Sequence, residues 1–237
     1  MGFVHRRAFM AASAASVVIP NLAQAQTPTG SNMGWGTMTR AARDAAYNNS
    51  QAVSDSAQIV NRWVAASATF RSQRPKQLDV PYGPGERNKW DLFPADNPTA
   101  PCLVFTHGGY WQMRSREDFS CFAEGVLARG WSAALPGYTL APAATLTQIV
   151  SEVRSALDWL AAQGNAHGIT GPVIISGWSA GGHLTALLLD HPSVRGGLAI
   201  SGIYELGPIR DTYLNKRLKL TDEEVSILSP TSVAGGQ

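Results

Sequence analysis

The pentapeptide Gly177-Trp178-Ser179-Ala180-Gly181, set between a short apolar run and a helical pattern, constrains this chain more than any other feature. Residues 173–176 read as a strand and residues 180–189 as a helix. A Gly-x-Ser-x-Gly sequence at such a junction needs a sharp strand-to-helix turn. Small residues on both sides let the backbone pass close to itself, and the serine is held strained with its hydroxyl presented above the end of a sheet. Ser179 is therefore the candidate nucleophile.

A second sequence of the same character lies upstream. His107-Gly108-Gly109-Tyr110-Trp111 directly follows the continuous apolar run 102–106. A serine that attacks a carbonyl needs two backbone N–H groups aimed at the oxyanion that forms. One is expected from Ala180, the residue after the nucleophile. The other is expected from Gly109, with Gly108 or Tyr110 assisting, because glycines let a backbone approach a substrate closely. Tyr110, Trp111 and Trp178 are expected to line an aromatic, apolar pocket.

The pattern along the chain supports an α/β fold. Residues 39–71 are helical in pattern, with Ile59, Trp63 and Ala66 at helix spacing and Asp55 or Ser56 as a cap. Residues 77–82 and 88–93 read as an antiparallel hairpin. Strands follow at 102–106, 131–135, 173–176 and 198–201. Helices at 119–128, 180–189 and one carrying Leu146, Ile149, Val150, Val153, Leu157 and Leu160 on a single face separate them. Strand and helix in alternation mean a mostly parallel sheet with helices on both faces.

The first 25 residues are set apart. Arg6-Arg7 precedes an apolar stretch that ends in Ala23-Gln24-Ala25, the order of a twin-arginine export leader with cleavage after Ala25. The chain is thus expected to be periplasmic or secreted, with a flexible lead-in at 26–38 and one hydrolase domain at 39–237. The chain carries 19 Lys+Arg and 17 Asp+Glu, and the leader takes two arginines and no acid. A balanced remainder without basic runs argues against a nucleic-acid partner. No apolar run approaches the roughly 18 residues of a membrane span, so no membrane insertion is expected once the leader is removed. Cys102 and Cys121 are expected to be separate thiols. No His-x-x-x-His or Cys-x-x-Cys pairing points to a metal, and nothing requires an organic cofactor.

Taken together, the two glycine-rich sequences, Gly137-Tyr138-Thr139-Leu140-Ala141-Pro142, Gly182-His183-Leu184 and Ser201-Gly202-Ile203-Tyr204 resemble the kynurenine formamidase (arylformamidase) and esterase branch of the α/β-hydrolases. Tyr47-Asn48-Asn49-Ser50 and Leu228-Ser229-Pro230 fit the same branch. The resemblance implies hydrolysis of a small carboxylic ester, or of an N-formyl amide, through an acyl-enzyme. It also implies a triad in the chain order Ser, acid, His. After Ser179 the histidines are His183 and His191. His191 stands about 18 Å along the helix from the serine, and the resembled family has a histidine at the place of His183 yet uses a later one as base. Asp190, Asp211 and Asp222 are not assigned as the acid. The expectation is an α/β-hydrolase fold lacking its last strands, hence an impaired enzyme or a non-catalytic hydrolase-like module.

Overall fold

The computed structural model describes residues 35–74 and 77–234. The expected leader and the first part of the lead-in lie outside the described residues. In chain order the elements are α1 (Arg40–Ala46), α2 (Asn49–Ala52), α3 (Ser56–Gln73), β1 (Val80–Pro81), β2 (Lys89–Phe93) and β3 (Cys102–Thr106). A 3-10 turn at Arg116–Phe122 runs into α4 (Ala123–Leu127), followed by β4 (Ser132–Pro136), α5 (Leu146–Gln163), β5 (Val173–Trp178), α6 (Ala180–Leu187) and β6 (Val194–Ile200). Four short helices follow: α7 (Gly207–Arg210), α8 (Asn215–Leu218), α9 (Asp222–Ile227) and α10 (Pro230–Ala234).

The six strands form one sheet in the order β1-β2-β4-β3-β5-β6. β1 and β2 are antiparallel, as expected for a hairpin, and β2 is antiparallel to β4. β4, β3, β5 and β6 run parallel. The α/β-hydrolase fold expected from the sequence is therefore the fold observed.

Side chains alternate across the sheet and sort into two cores. Leu92, Val104 and Ala134 join the core built with α5 and α6, while Phe93, Phe105 and Leu135 join an aromatic core with Phe70 of α3 and Phe119. Burying a side chain of this size contributes about 1.5–3 kcal/mol. α5 starts at a capping box, in which Thr145 Oγ1 accepts from Gln148 N (3.2 Å) and Gln148 Oε1 from Thr145 N (2.8 Å). Of its predicted face, Leu146, Ile149, Val153, Leu157 and Leu160 are buried and Val150 is partly buried against the same core. β6 stands at the sheet edge, where Leu198 is 62% and Ile200 is 42% exposed.

Two polar knots fix the frame. Asp91 of β2, wholly buried, pairs with Arg71 and accepts from Arg116 Nε (3.1 Å), Ser120 Oγ (3.3 Å) and the Asp79 N–H (3.2 Å). It ties β2 to α3 and to the turn before α4. Glu224 serves the starts of two helices. Its Oε1 accepts from Thr147 N (3.0 Å) and Thr147 Oγ1 (2.9 Å) on α5, and its Oε2 from Thr221 N (3.2 Å) at α9.

Several local expectations are corrected. The single helical stretch from residue 39 is three helices, because the Asn48 side chain accepts from Gln51 N and restarts the chain as α2. Asp55 stands before α3 but makes no side-chain cap bond. The strand expected at 77–82 shrinks to two residues because Asp79 takes φ 58°, outside the extended region. The end of the lead-in is packed: Trp35–Thr37 form a 3-10 turn, and Trp35 Nε1 donates to Asp211 Oδ2 at 3.1 Å. Cys102 and Cys121 are separate thiols, and burial pushes the Cys102 thiol up to about 12. Among the described residues no helix is long and apolar enough to cross a membrane.

Candidate active site

Ser179 sits between β5 and α6 at φ 57°, ψ −115°, a conformation costing on the order of 1–3 kcal/mol that the surroundings must enforce. The flanking glycines explain how. A Cβ at Gly177 would collide with the Gly181 carbonyl oxygen, and one at Gly181 with the carbonyl oxygen of Thr106 in β3. The Ser179 N–H donates to the Ile200 oxygen at 2.9 Å, and its carbonyl accepts from His183 N at 3.0 Å. The turn is thereby pinned to β6 and to α6. Its hydroxyl has no hydrogen-bond partner among the described residues.

The glycine pair after β3 lies directly against this turn. A Cβ at Gly108 would meet the Trp178 carbonyl oxygen at 2.7 Å and Ser179 Cβ at 3.2 Å. Gly109, Tyr110 and Trp111 all have positive φ (113°, 50° and 57°), which turns this loop sharply. Gln112 N and Met113 N close it by donating to the Gly109 oxygen. Among the described residues the N–H groups of Gly108, Gly109, Tyr110 and Ala180 have no protein acceptor, the state required of donors reserved for a ligand.

His107 holds this loop from behind. Its ring stacks on Tyr138 at 4.3 Å, its Nδ1 lies 2.8 Å from the Gly108 oxygen, and the Tyr138 hydroxyl donates to the His107 oxygen. Burial lowers the His107 pKa to about 4, so the ring is neutral at neutral pH.

The other histidines are occupied elsewhere. His183 is buried with Nε2 2.7 Å from the Leu228 oxygen, and burial lowers its pKa to about 4. His191 Nε2 meets Asp158 Oδ1 at 3.1 Å, and His167 Nδ1 meets Gln77 Oε1 at 2.8 Å. Among the acids, Asp190 pairs with Arg154, Asp211 with Arg43 and Trp35, and Asp222 with Arg210. Among the described residues none of these groups bonds to Ser179, and no cluster of three His, Cys, Asp or Glu side chains could hold a metal.

A cavity of about 230 Å³ opens above Ser179. Gly109, Tyr110 and Trp178 line it, as do Ile59, Val60 and Trp63 of α3, Asn49 of α2, and Val53, Met113 and Arg114. The Trp63 and Trp178 rings meet edge to face at 5.5 Å. The Tyr110 hydroxyl donates to the Tyr47 oxygen at 3.0 Å and accepts from Asn49 Nδ2 at 3.2 Å, and burial pushes its pKa up to about 12. Trp111 is the correction. Expected on the pocket wall, it is fully buried, with its ring edge-on to His183 at 4.9 Å. Its φ of 57° turns the side chain into the core. Sequence reasoning missed the wall made by α2 and α3. The spacing of Ile59 and Trp63 was its one visible signal.

Known proteins are similar to this chain in sequence and fold. The BD-FAE family matches residues 91–191. Kynurenine formamidase of Danio rerio is 34% identical over 177 residues, covering 70% of this chain and 59% of that protein. The chain thus spans less than two thirds of that relative's length. A crystal structure from Silicibacter sp. TM1040, described as a candidate thioesterase, has a TM-score of 0.71 at 32% identity over 80% of this chain and 74% of that one. Esterase B of Lactobacillus rhamnosis has a TM-score of 0.56 at 20% identity over 76% of this chain and 71% of that one, a likeness of fold.

Proposed function

This chain belongs to the α/β-hydrolases, in the branch of kynurenine formamidases and esterases, and on that premise we propose that it is a serine hydrolase of small carboxylic esters. The observation that carries the reading is Ser179, strained at φ 57° with a free hydroxyl beneath an apolar cavity and beside unpaired N–H groups. Ser179 Oγ attacks the ester carbonyl and the alcohol leaves, giving an acyl-enzyme that water then cleaves. The Gly109 and Ala180 N–H groups, assisted by Gly108 or Tyr110, receive the oxyanion. Losing one such donor typically costs about 2.7–4 kcal/mol of transition-state stabilisation.

A base must accept the Ser179 proton for full turnover. Among the described residues no histidine ring lies in hydrogen-bond contact with the Ser179 hydroxyl. By itself this chain is expected to retain only the roughly 10³–10⁴-fold catalysis over water that oxyanion donors and binding supply. The direct test of the nucleophile is labelling by a fluorophosphonate probe, which should mark Ser179 and be abolished in S179A. An unlabelled wild-type protein would favour the non-catalytic module instead.

A second reading is arylformamidase activity on N-formyl amides, favoured by the 34% identity to kynurenine formamidase of Danio rerio. Comparing N-formylkynurenine with p-nitrophenyl acetate separates the two. The Arg6-Arg7 leader supports export to the periplasm or beyond. Replacing both arginines with lysine should leave the protein in the cytoplasm, as fractionation would reveal.

A further inference from the structure

We infer that Arg114 sets the specificity of the cavity above Ser179, and that the molecule selected there carries a carboxylate on an apolar body. This rests on the hydrolase reading of Ser179 and names the substrate class of the same site. The apolar body follows from the walls, since Val53, Ile59, Val60, Trp63, Met113 and Trp178 all line the cavity. The carboxylate follows from the electrostatics. Among the described residues Arg114 is the one charged side chain lining the cavity, and no acid lines it.

What distinguishes Arg114 among the described residues is that it is unpaired while half-buried on the cavity wall. Arg43, Arg71, Arg116, Arg154 and Arg210 each face a carboxylate. Arg114 is half-buried, and among the described residues its guanidinium makes neither an ion pair nor a side-chain hydrogen bond. The backbone that carries it is nonetheless fixed. It has φ 74°, and its carbonyl accepts from Arg87 Nη2 at 2.6 Å. Its stem runs close to the proposed oxyanion donor, since a Cβ at Gly109 would come within 3.0 Å of Arg114 Cγ.

A planar guanidinium without a protein partner can offer two parallel N–H groups to a carboxylate. Arg87, which holds the Arg114 carbonyl, brings no acid with it: its donors go to the Tyr138 and Arg114 carbonyls. A neutral ester filling the same cavity would leave the charge half-desolvated and unanswered. The site therefore discriminates in favour of acidic molecules.

Trp63 and Trp178 line the cavity, so intrinsic fluorescence reads occupancy without turnover. The experiment titrates the full chain with 4-phenylbutyrate and with the neutral 4-phenylbutyramide. The acid should bind at least about tenfold more tightly, as expected for a hydrogen bond to a charged group. R114Q should bring the two to the same affinity, and R114K should keep part of the difference. In about 1 M NaCl, where the Debye length is about 3 Å, the wild-type preference should shrink. Equal affinities in the wild type, no binding of either compound, or a preference that survives R114Q would each overturn the inference. If R114Q fails to fold, the salt series decides, and an undiminished preference in high salt counts against Arg114. S179A should keep the preference, so failed phosphonate labelling of Ser179 sinks the hydrolase reading without touching this one.

Discussion

Gly108 and Ser179 are in contact: a Cβ added to the glycine would stand 3.2 Å from the serine Cβ and 2.7 Å from the Trp178 oxygen. Residues 71 positions apart in the chain thus pack against each other, and Gly108 cannot gain a side chain without displacing the turn at Ser179. Gly108→Ala must displace the strained turn or the donor loop. We expect a stability loss of about 1–3 kcal/mol from overpacking. Phosphonate labelling of Ser179 should slow by about 10²-fold, the scale of one misplaced oxyanion donor. Melting curves and labelling rates measure the two separately, and an unslowed label would contradict the close packing.

Stability should fall in mild acid because of His107 and His183. Burial lowers both pKa values to about 4, below the ordinary 6.5. The unfolded chain therefore binds more protons than the folded one between those values. The contribution of each neutral ring is complete above about pH 6.5 and is lost as pH drops towards 4. The limiting slope is about 1.4 kcal/mol per pH unit for each histidine. Urea unfolding at pH 7, 6 and 5 should follow this trend, and H183N should remove about half the slope.

Asp91 is expected to be the most costly single charge to remove. D91A leaves Arg116, itself buried, and Arg71 without their shared carboxylate. Removing one side of a buried pair typically costs about 3–5 kcal/mol. Chemical denaturation should report a loss of that size, and a change below about 1 kcal/mol would mean that water already screens the cluster.

Glu224 offers a gentler test of how the last helices are held. E224A removes acceptors from Thr147 and Thr221 at once, with an expected cost of about 2–3 kcal/mol. E224Q keeps one carbonyl oxygen and should cost about half as much. Equal losses would point to packing rather than hydrogen bonding.

The elements that positioned Ser179 were readable because each rests on local chemistry. The run at Cys102–Thr106 announced a strand covered on both faces, and glycines at 177 and 181 announced a turn that tolerates no Cβ. The cavity wall was less legible because its residues come from a different part of the chain. Asn49, Ile59 and Trp63 lie more than a hundred residues before Ser179, and only packing on Phe119, Phe122 and Trp178 brings them over it. Trp111 was misplaced for another reason. Its direction depends on a positive φ that a non-glycine residue rarely adopts, and composition gives no hint of it.

The anchorage of Trp35, Arg43 and Asp44 has a temporal consequence. Trp35 and Arg43 fasten to Asp211, and Asp44 accepts from the Tyr213 N–H at 2.6 Å. The segment that leads into the cavity wall thus leaves the ribosome well before its fasteners, which follow 168 to 176 residues later. A nascent chain halted before residue 211 would carry Ser179 while the segment from Trp35 to Asp44 still lacked its latch.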